Sequence, residues 1–199
     1  MISYFENNHL DVAAFQQSKD EKQYCGDGYV VITEDDFALC AVVDGLGSGK
    51  GAFESAEAVL EEVKKNIRMS LDLILESCNK QLLGKRGAVV TLLKIDFIKK
   101  EFHYSNMGNV GFALYYPNGE VIQPIPQRGY LSGHKKPFSM KSFPYEKNST
   151  FMMYTDGIKS PPNKKQLLEL DSLKRGASAL FKAVKDVHDD MTLLIGKLH

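Results

Sequence analysis

Neither sign of charge predominates in this chain. Lys plus Arg and Asp plus Glu number 25 each, a formal net charge of zero, and the missing basic excess argues against a general binder of nucleic acid or anionic membranes. Cysteine is scarce. Cys25, Cys40 and Cys78 are widely spaced and form no C-x-x-C pair, so nothing suggests zinc or a redox dithiol. Cys40 and Cys78 lie in apolar runs and read as small core hydrophobes. No apolar run approaches a membrane span, and residues 1–9 lack a basic segment followed by an apolar one. The expected location is therefore the cytoplasm, with no membrane partner. Internal repeats, low-complexity tracts and linkers are also missing, so residues 1–199 read as one domain. What is there is ordinary for a globular chain able to bury a core: 43% hydrophobic and 25% charged over 199 residues.

Residues 29–33 and 37–43 are β-rich runs split by the acidic turn Glu34-Asp35-Asp36, a hairpin signal. A Gly-rich turn from Gly45 to Gly51 leads into a helical pattern ending near Met69, with Phe53, Ala56, Val59, Leu60, Val63 and Ile67 on one face. A second helix is expected over 71–83, between Ser70 as N-cap and Gly84 as stop. Strands are expected over 88–95, 101–105 and 111–116, the last followed by the hairpin pair Asn118-Gly119. Further strands are expected over 150–154 and 191–195. Pro161 and Pro162 delay helices expected over 166–170 and 173–184. Strands in blocks and helices in pairs predict antiparallel sheets covered by helices.

Four acids stand at strand ends. Asp44 and Asp156 follow strands; Asp27 and the pair Asp189-Asp190 precede them. In antiparallel sheets the end of one strand lies beside the start of its neighbour, so all four can share one rim. A hairpin centred on Asp35 pairs residues summing to 70, placing Asp27 opposite Val43 and next to Asp44. Converging carboxylates repel unless a proton or cation neutralises them, and oxygen donors without His or Cys suit Mg²⁺ or Mn²⁺. Taken singly, each Asp also reads as a turn residue or a solvated acid. The joint pattern favours a site.

The stretch Asp44-Gly45-Leu46-Gly47-Ser48-Gly49-Lys50-Gly51 has the strand-to-helix setting of a phosphate-binding loop. As a Walker A motif it fails twice, with Asp44 where the first Gly belongs and Gly51 where Ser or Thr should follow Lys50. Gly47, Gly49 and Ala52 fit a dinucleotide fingerprint, but a second helix follows instead of a strand ending in an acid. A plain tight turn accounts for the glycines and leaves Asp44 unexplained.

Asp44-Gly45-Leu46-Gly47-Ser48-Gly49, Tyr154-Thr155-Asp156-Gly157 and Asp189-Asp190-Met191-Thr192 together resemble the signature stretches of the PP2C-type phosphatases. The likeness is to the bacterial branch typified by the stage II sporulation phosphatase, and runs from Cys25-Gly26-Asp27 to Asp189. Within that branch, Lys85-Arg86-Gly87-Ala88, Gly108-Asn109-Val110 and the short length resemble a group without sensor domains. The resemblance implies an α+β fold, an αββα sandwich of two antiparallel sheets flanked by helix pairs. It implies two Mn²⁺ or Mg²⁺ ions held by Asp27, Asp44, the Gly45 carbonyl, Asp156 and Asp189. Asp44 would bridge them, Asp190 would be the fallback for Asp189, and Asp44, Asp156 and Asp189 would carry catalysis. Activated water would attack phosphorus without a covalent intermediate. The implied substrates are phosphoserine or phosphothreonine on stressosome proteins of the STAS type, in the sigma-B general stress response.

Two positions depart from the family pattern. Leu46 stands where eukaryotic relatives have a His proposed as general acid, and Asn109 stands where many bacterial relatives have His. The five histidines, His9, His103, His134, His188 and His199, show no ligand spacing and read as surface or core. Lys50 and Arg86 read as solvated cations or phosphate holders, Met152 and Met153 as strand filler, and residues 127–145 as a docking or plain surface loop. A pseudophosphatase that binds partners without chemistry, and a small-molecule phosphohydrolase, are the competing functions.

Overall fold

The computed structural model describes residues 2–19, 23–170, 172–184 and 189–199. The expectation for His188 falls outside them. The chain opens with a hairpin, β1 (Ile2–Glu6) and β2 (Leu10–Gln17), followed by β3 (Asp27–Thr33) and β4 (Phe37–Gly45). Two helices, α1 (Lys50–Lys65) and α2 (Leu71–Gln81), precede β5 (Ala88–Asp96), β6 (Glu101–Met107), β7 (Gly111–Tyr115), β8 (Val121–Ile122) and β9 (Lys141–Pro144). The remainder is β10 (Thr150–Tyr154), α3 (Lys164–Leu168), α4 (Leu173–Val184) and β11 (Met191–Leu198).

All pairings between these strands are antiparallel. One sheet runs β1-β2-β11-β10-β7-β8 and the other β3-β4-β5-β6-β9. The sheets pack face to face. Strand β4 makes the layering visible, because Ala38, Cys40 and Val42 enter the core between the sheets. Its alternate residues Phe37, Leu39, Ala41 and Val43 pack under α1 and α2. In β11, Leu194 and Leu198 face the inter-sheet core while Met191, Leu193 and Ile195 meet α4. Strands buried on both faces read as continuous apolar runs. The αββα sandwich expected from the family resemblance is the architecture found.

Several boundaries differ from expectation for local reasons. Helix α1 stops at Lys65, although its apolar pattern continues to Ile67. There the bonding shortens, with the Asn66 N–H donating to the Val63 carbonyl and the Asn66 amide to the Glu62 carbonyl. Helix α3 begins two residues early because Asn163 and Gln166 form a reciprocal capping box. The hairpin β1–β2 was not expected. Its Val12-Ala13-Ala14 run has weak intrinsic strand preference, and pairing with β1 and β11 decides it. Strands β8 and β9 lie at sheet edges, largely exposed, without apolar alternation to mark them. Residues 127–145 are tied down: Leu131 bridges Ala88, and the Asn79 side chain bonds the backbone of Ser132, Gly133 and His134. Cys40 and Cys78 are buried, as expected, and all three cysteines are free. Among the described residues no helix is long and apolar enough to cross a membrane.

Candidate metal-dependent active site

The inward face of each sheet leads to the site. On β4 the inward series Ala38, Cys40, Val42 continues to Asp44 at the open end of the sandwich. Asp27 is the direct cross-strand partner of Asp44. The register therefore sums to 71, one more than the hairpin arithmetic predicted, and the shift brings the two carboxylates side by side. On the other sheet, Phe151 and Met153 face inward, and Thr155 continues their series. Its hydroxyl donates to Asp27 Oδ2 at 2.6 Å and accepts from the Thr192 N–H at 2.9 Å. One threonine thus joins β3 to the ends of β10 and β11.

Asp156 follows Thr155 into solvent, and Asn109 Nδ2 donates to its Oδ2 at 3.1 Å. The Asp156 carbonyl accepts from Lys159 Nζ at 2.8 Å. Asp189 and Asp190 arrive just before β11 and have different partners. Asp190 is committed to backbone, Oδ1 accepting from the Lys19 N–H and Oδ2 from the Gly26 N–H, both at 2.7 Å. Among the described residues, Asp189 accepts a local bond from the Asp190 N–H at 3.0 Å. Close approaches explain two glycines nearby. A Cβ on Gly45 would lie 2.0 Å from the Ala52 carbonyl oxygen, and one on Gly157 at 2.0 Å from that of Asp190. The motif glycines therefore let α1 and the Asp190 turn pack against the acids.

Electrostatics ties these groups together. Burial, followed by the charges of Asp156, Asp189 and Asp190, pushes Asp44 up to about 7. Asp27, 5% exposed, is raised well above the usual carboxylate range by burial and then by Asp44, against the opposing Thr155 hydroxyl bond. A cluster that must take up protons to relieve repulsion is chemically suited to cations. Its donors are oxygens alone, the set that holds Mg²⁺ and Mn²⁺. Among the described residues, no three acidic, His or Cys side chains close on one point. The nearby thiol is no rival nucleophile: burial, then Asp27 and Asp190, push Cys25 up to about 12, so it stays neutral.

Comparison with known proteins follows the same lines. Residues 34–199 match the stage II sporulation protein E (SpoIIE) family. The chain belongs to that family. It is 36% identical over 198 residues to phosphoserine phosphatase RsbX of Bacillus subtilis (strain 168), covering 100% of both chains. The crystal structure of RsbX in complex with magnesium superposes with a TM-score of 0.94, at 36% identity and full coverage of both chains. The catalytic domain of the serine/threonine phosphatase PstP, in complex with two manganese ions, shares the fold at a TM-score of 0.74. It is 17% identical, over 96% of this chain and 98% of that one.

Within this SpoIIE-family site, Asp27 pairs directly with Asp44, and Asp156 and Asp189 lie near enough for their charges to raise the Asp44 pKa. Gly45 ends β4 beside them. Leu46, in place of the eukaryotic His, packs against the inter-sheet core. Asn109, in place of the bacterial His, orients Asp156. Two contributors were not foreseen, Thr155 and the backbone latch of Asp190. Inward parity from Met153 would have found Thr155; the latch depends on the Lys19 and Gly26 backbone and has no sequence signal. The two adjacent acids should separate by measurement. Asp190→Ala removes two charge-assisted bonds and should cost about 2–4 kcal/mol of stability in denaturant unfolding. Asp189→Ala should leave stability within about 1 kcal/mol but weaken Mn²⁺ activation. Equal destabilisation by both would contradict this division.

Proposed function

We propose that this chain is a divalent-metal-dependent protein phosphatase that hydrolyses phosphoserine or phosphothreonine. The observation that carries the reading is the meeting of Asp27 and Asp44 from one sheet with Asp156 and Asp189 from the other, burial and then the charges of Asp156, Asp189 and Asp190 lifting Asp44 to about 7. Likeness over the full chain to a protein named a phosphoserine phosphatase supports the substrate class.

In this reading Asp44, Asp156 and Asp189 hold two cations, Mn²⁺ or Mg²⁺, with the Gly45 carbonyl as a further donor. Asp27 helps from behind, since one of its oxygens is already bonded to Thr155. Two such ions, when bound, supply Lewis-acid polarisation of water and phosphoryl oxygens at neutral pH. Asn109 restrains the exposed Asp156 carboxylate by its bond to Oδ2. Asp190 holds the Gly26 backbone, next to Asp27, and the Lys19 backbone just past the end of β2. Cys25, held neutral, takes no part as a nucleophile.

The partners are inferred from the family resemblance of the sequence motifs. A phosphorylated stressosome protein of the STAS type, in the cytoplasm, is the substrate we infer, which would place the enzyme in resetting sigma-B signalling. The test is to incubate the protein with Mn²⁺ and an aryl phosphate, then with such phosphoproteins. Turnover of both that stops in EDTA is expected. Mn²⁺-independent turnover, or none on either substrate, would overturn the proposal and favour a binding module.

A further inference from the structure

Metal chemistry accounts for Asp44 and Gly45 but not for the glycines that follow. Gly47 and Gly49 have φ of 91° and 69°, which a side chain rarely adopts. Gly51 opens the first turn of α1 and has no such excuse. What Gly47 and Gly51 share is the side chain of Arg86. A Cβ on Gly47 would stand 2.9 Å from Arg86 Nη1, and one on Gly51 would stand 2.6 Å from its Nε. The two glycines form a seat for one guanidinium.

The strand register places that seat at the rim of the site. Gly45 pairs with Ala88, two residues after Arg86, and the Leu46 N–H donates to the Gly87 carbonyl at 3.0 Å. Arg86 Nη1 donates to the Ser48 carbonyl at 3.0 Å, which holds the planar group across the turn just after Asp44. Among the described residues no carboxylate lies within 4.0 Å of it. Other cations nearby are engaged differently. Lys50 pairs with Glu54 along α1 at 3.6 Å, and Lys159 bonds the Asp156 carbonyl at 2.8 Å. A guanidinium has five donors in a fixed fork that matches two phosphate oxygens, and Ser48 uses one of them.

We propose that Arg86, seated on Gly47 and Gly51, is the residue that grips the phosphoryl group of the substrate and orients it over the aspartate basin. This rests on the site reading given above. It adds a group that reading does not name, a planar donor fork that fixes how the phosphoryl oxygens are presented.

The test uses the full chain with Mn²⁺, comparing wild type with Arg86→Ala, Arg86→Lys and Lys50→Ala. Steady-state kinetics on an aryl phosphate are read together with inhibition by inorganic phosphate and the Mn²⁺ activation curve. Arg86→Ala should raise both KM and the phosphate inhibition constant about tenfold, with Mn²⁺ activation unchanged. Arg86→Lys should recover only part of this, since a point charge replaces a fork. Lys50→Ala should match wild type. Wild-type phosphate inhibition in Arg86→Ala would overturn the inference. So would a loss of phosphate binding matched by an equal loss of Mn²⁺ affinity, which would mean the arginine only pins the turn. If Arg86→Ala does not fold, Arg86→Lys with wild-type phosphate inhibition overturns it as well. An inactive wild type, or an Asp44→Asn protein that keeps Mn²⁺-dependent turnover, would instead overturn the site reading and this inference together.

Discussion

Replacing Asp44 with Asn is expected to leave a folded protein whose Mn²⁺-dependent turnover falls about a thousandfold, some 4 kcal/mol of transition-state stabilisation. Asn matches Asp in shape, so the packing at the end of β4 survives. Its amide oxygen is a far weaker metal donor than a carboxylate. The loss should be this large because Asp44 is the group that feels the acids of both sheets: Asp27 is its cross-strand partner, and Asp156 and Asp189 both raise its pKa. Removing its charge also relieves repulsion, so the metal-free variant should be at least as stable as wild type above pH 7. Thermal unfolding in EDTA, alongside kinetics in Mn²⁺, separates the two effects. Turnover within threefold of wild type would end the assignment.

The second large effect concerns metal-free protein and pH. Asp44 is raised to about 7 from 3.8, and Asp27 moves the same way. Between pH 4 and 7 the folded protein therefore holds protons that the unfolded chain has released. Stability should fall as pH rises through that window, the reverse of a salt-bridged carboxylate. For Asp44 the shift corresponds to about 4 kcal/mol at most, reduced by its partial exposure to water. In EDTA the melting temperature should thus be higher at pH 5 than at pH 8. Saturating Mn²⁺ should close or invert the gap, because a bound cation takes the place of the protons. The Asp44→Asn protein should show a shallower pH slope in EDTA. A melting temperature that rises with pH in EDTA would contradict the reading.

How far the sequence reached depended on the range of the interactions involved. The hairpin from β3 to β4 is local, so its turn placed Asp27 beside Asp44 to within one residue, and the slip mattered only for which residues face directly. Strands β10 and β11 were legible as apolar runs, but nothing local joined them to the first hairpin. Asp156 and Asp189 came to the site through family resemblance, and the physical link is the Thr155 hydroxyl reaching Asp27 across 128 positions in sequence. The pairing of β2 with β11 was invisible because a short Ala-rich run carries little preference of its own. Asp189 and Asp190 look alike in sequence. They part only when Lys19 and Gly26 offer their N–H groups to one of them.

Whether carboxylates from two sheets make one metal site can be read from a crystal soaked in Mn²⁺ by anomalous scattering. Peaks are expected within about 2.1–2.3 Å of carboxylate oxygens of Asp44 and of Asp156 or Asp189, with Asp190 still bonded to the Lys19 and Gly26 backbone. Mn²⁺ bound elsewhere, or no peak at Asp44 in crystals of protein that shows Mn²⁺-dependent turnover, would contradict that expectation.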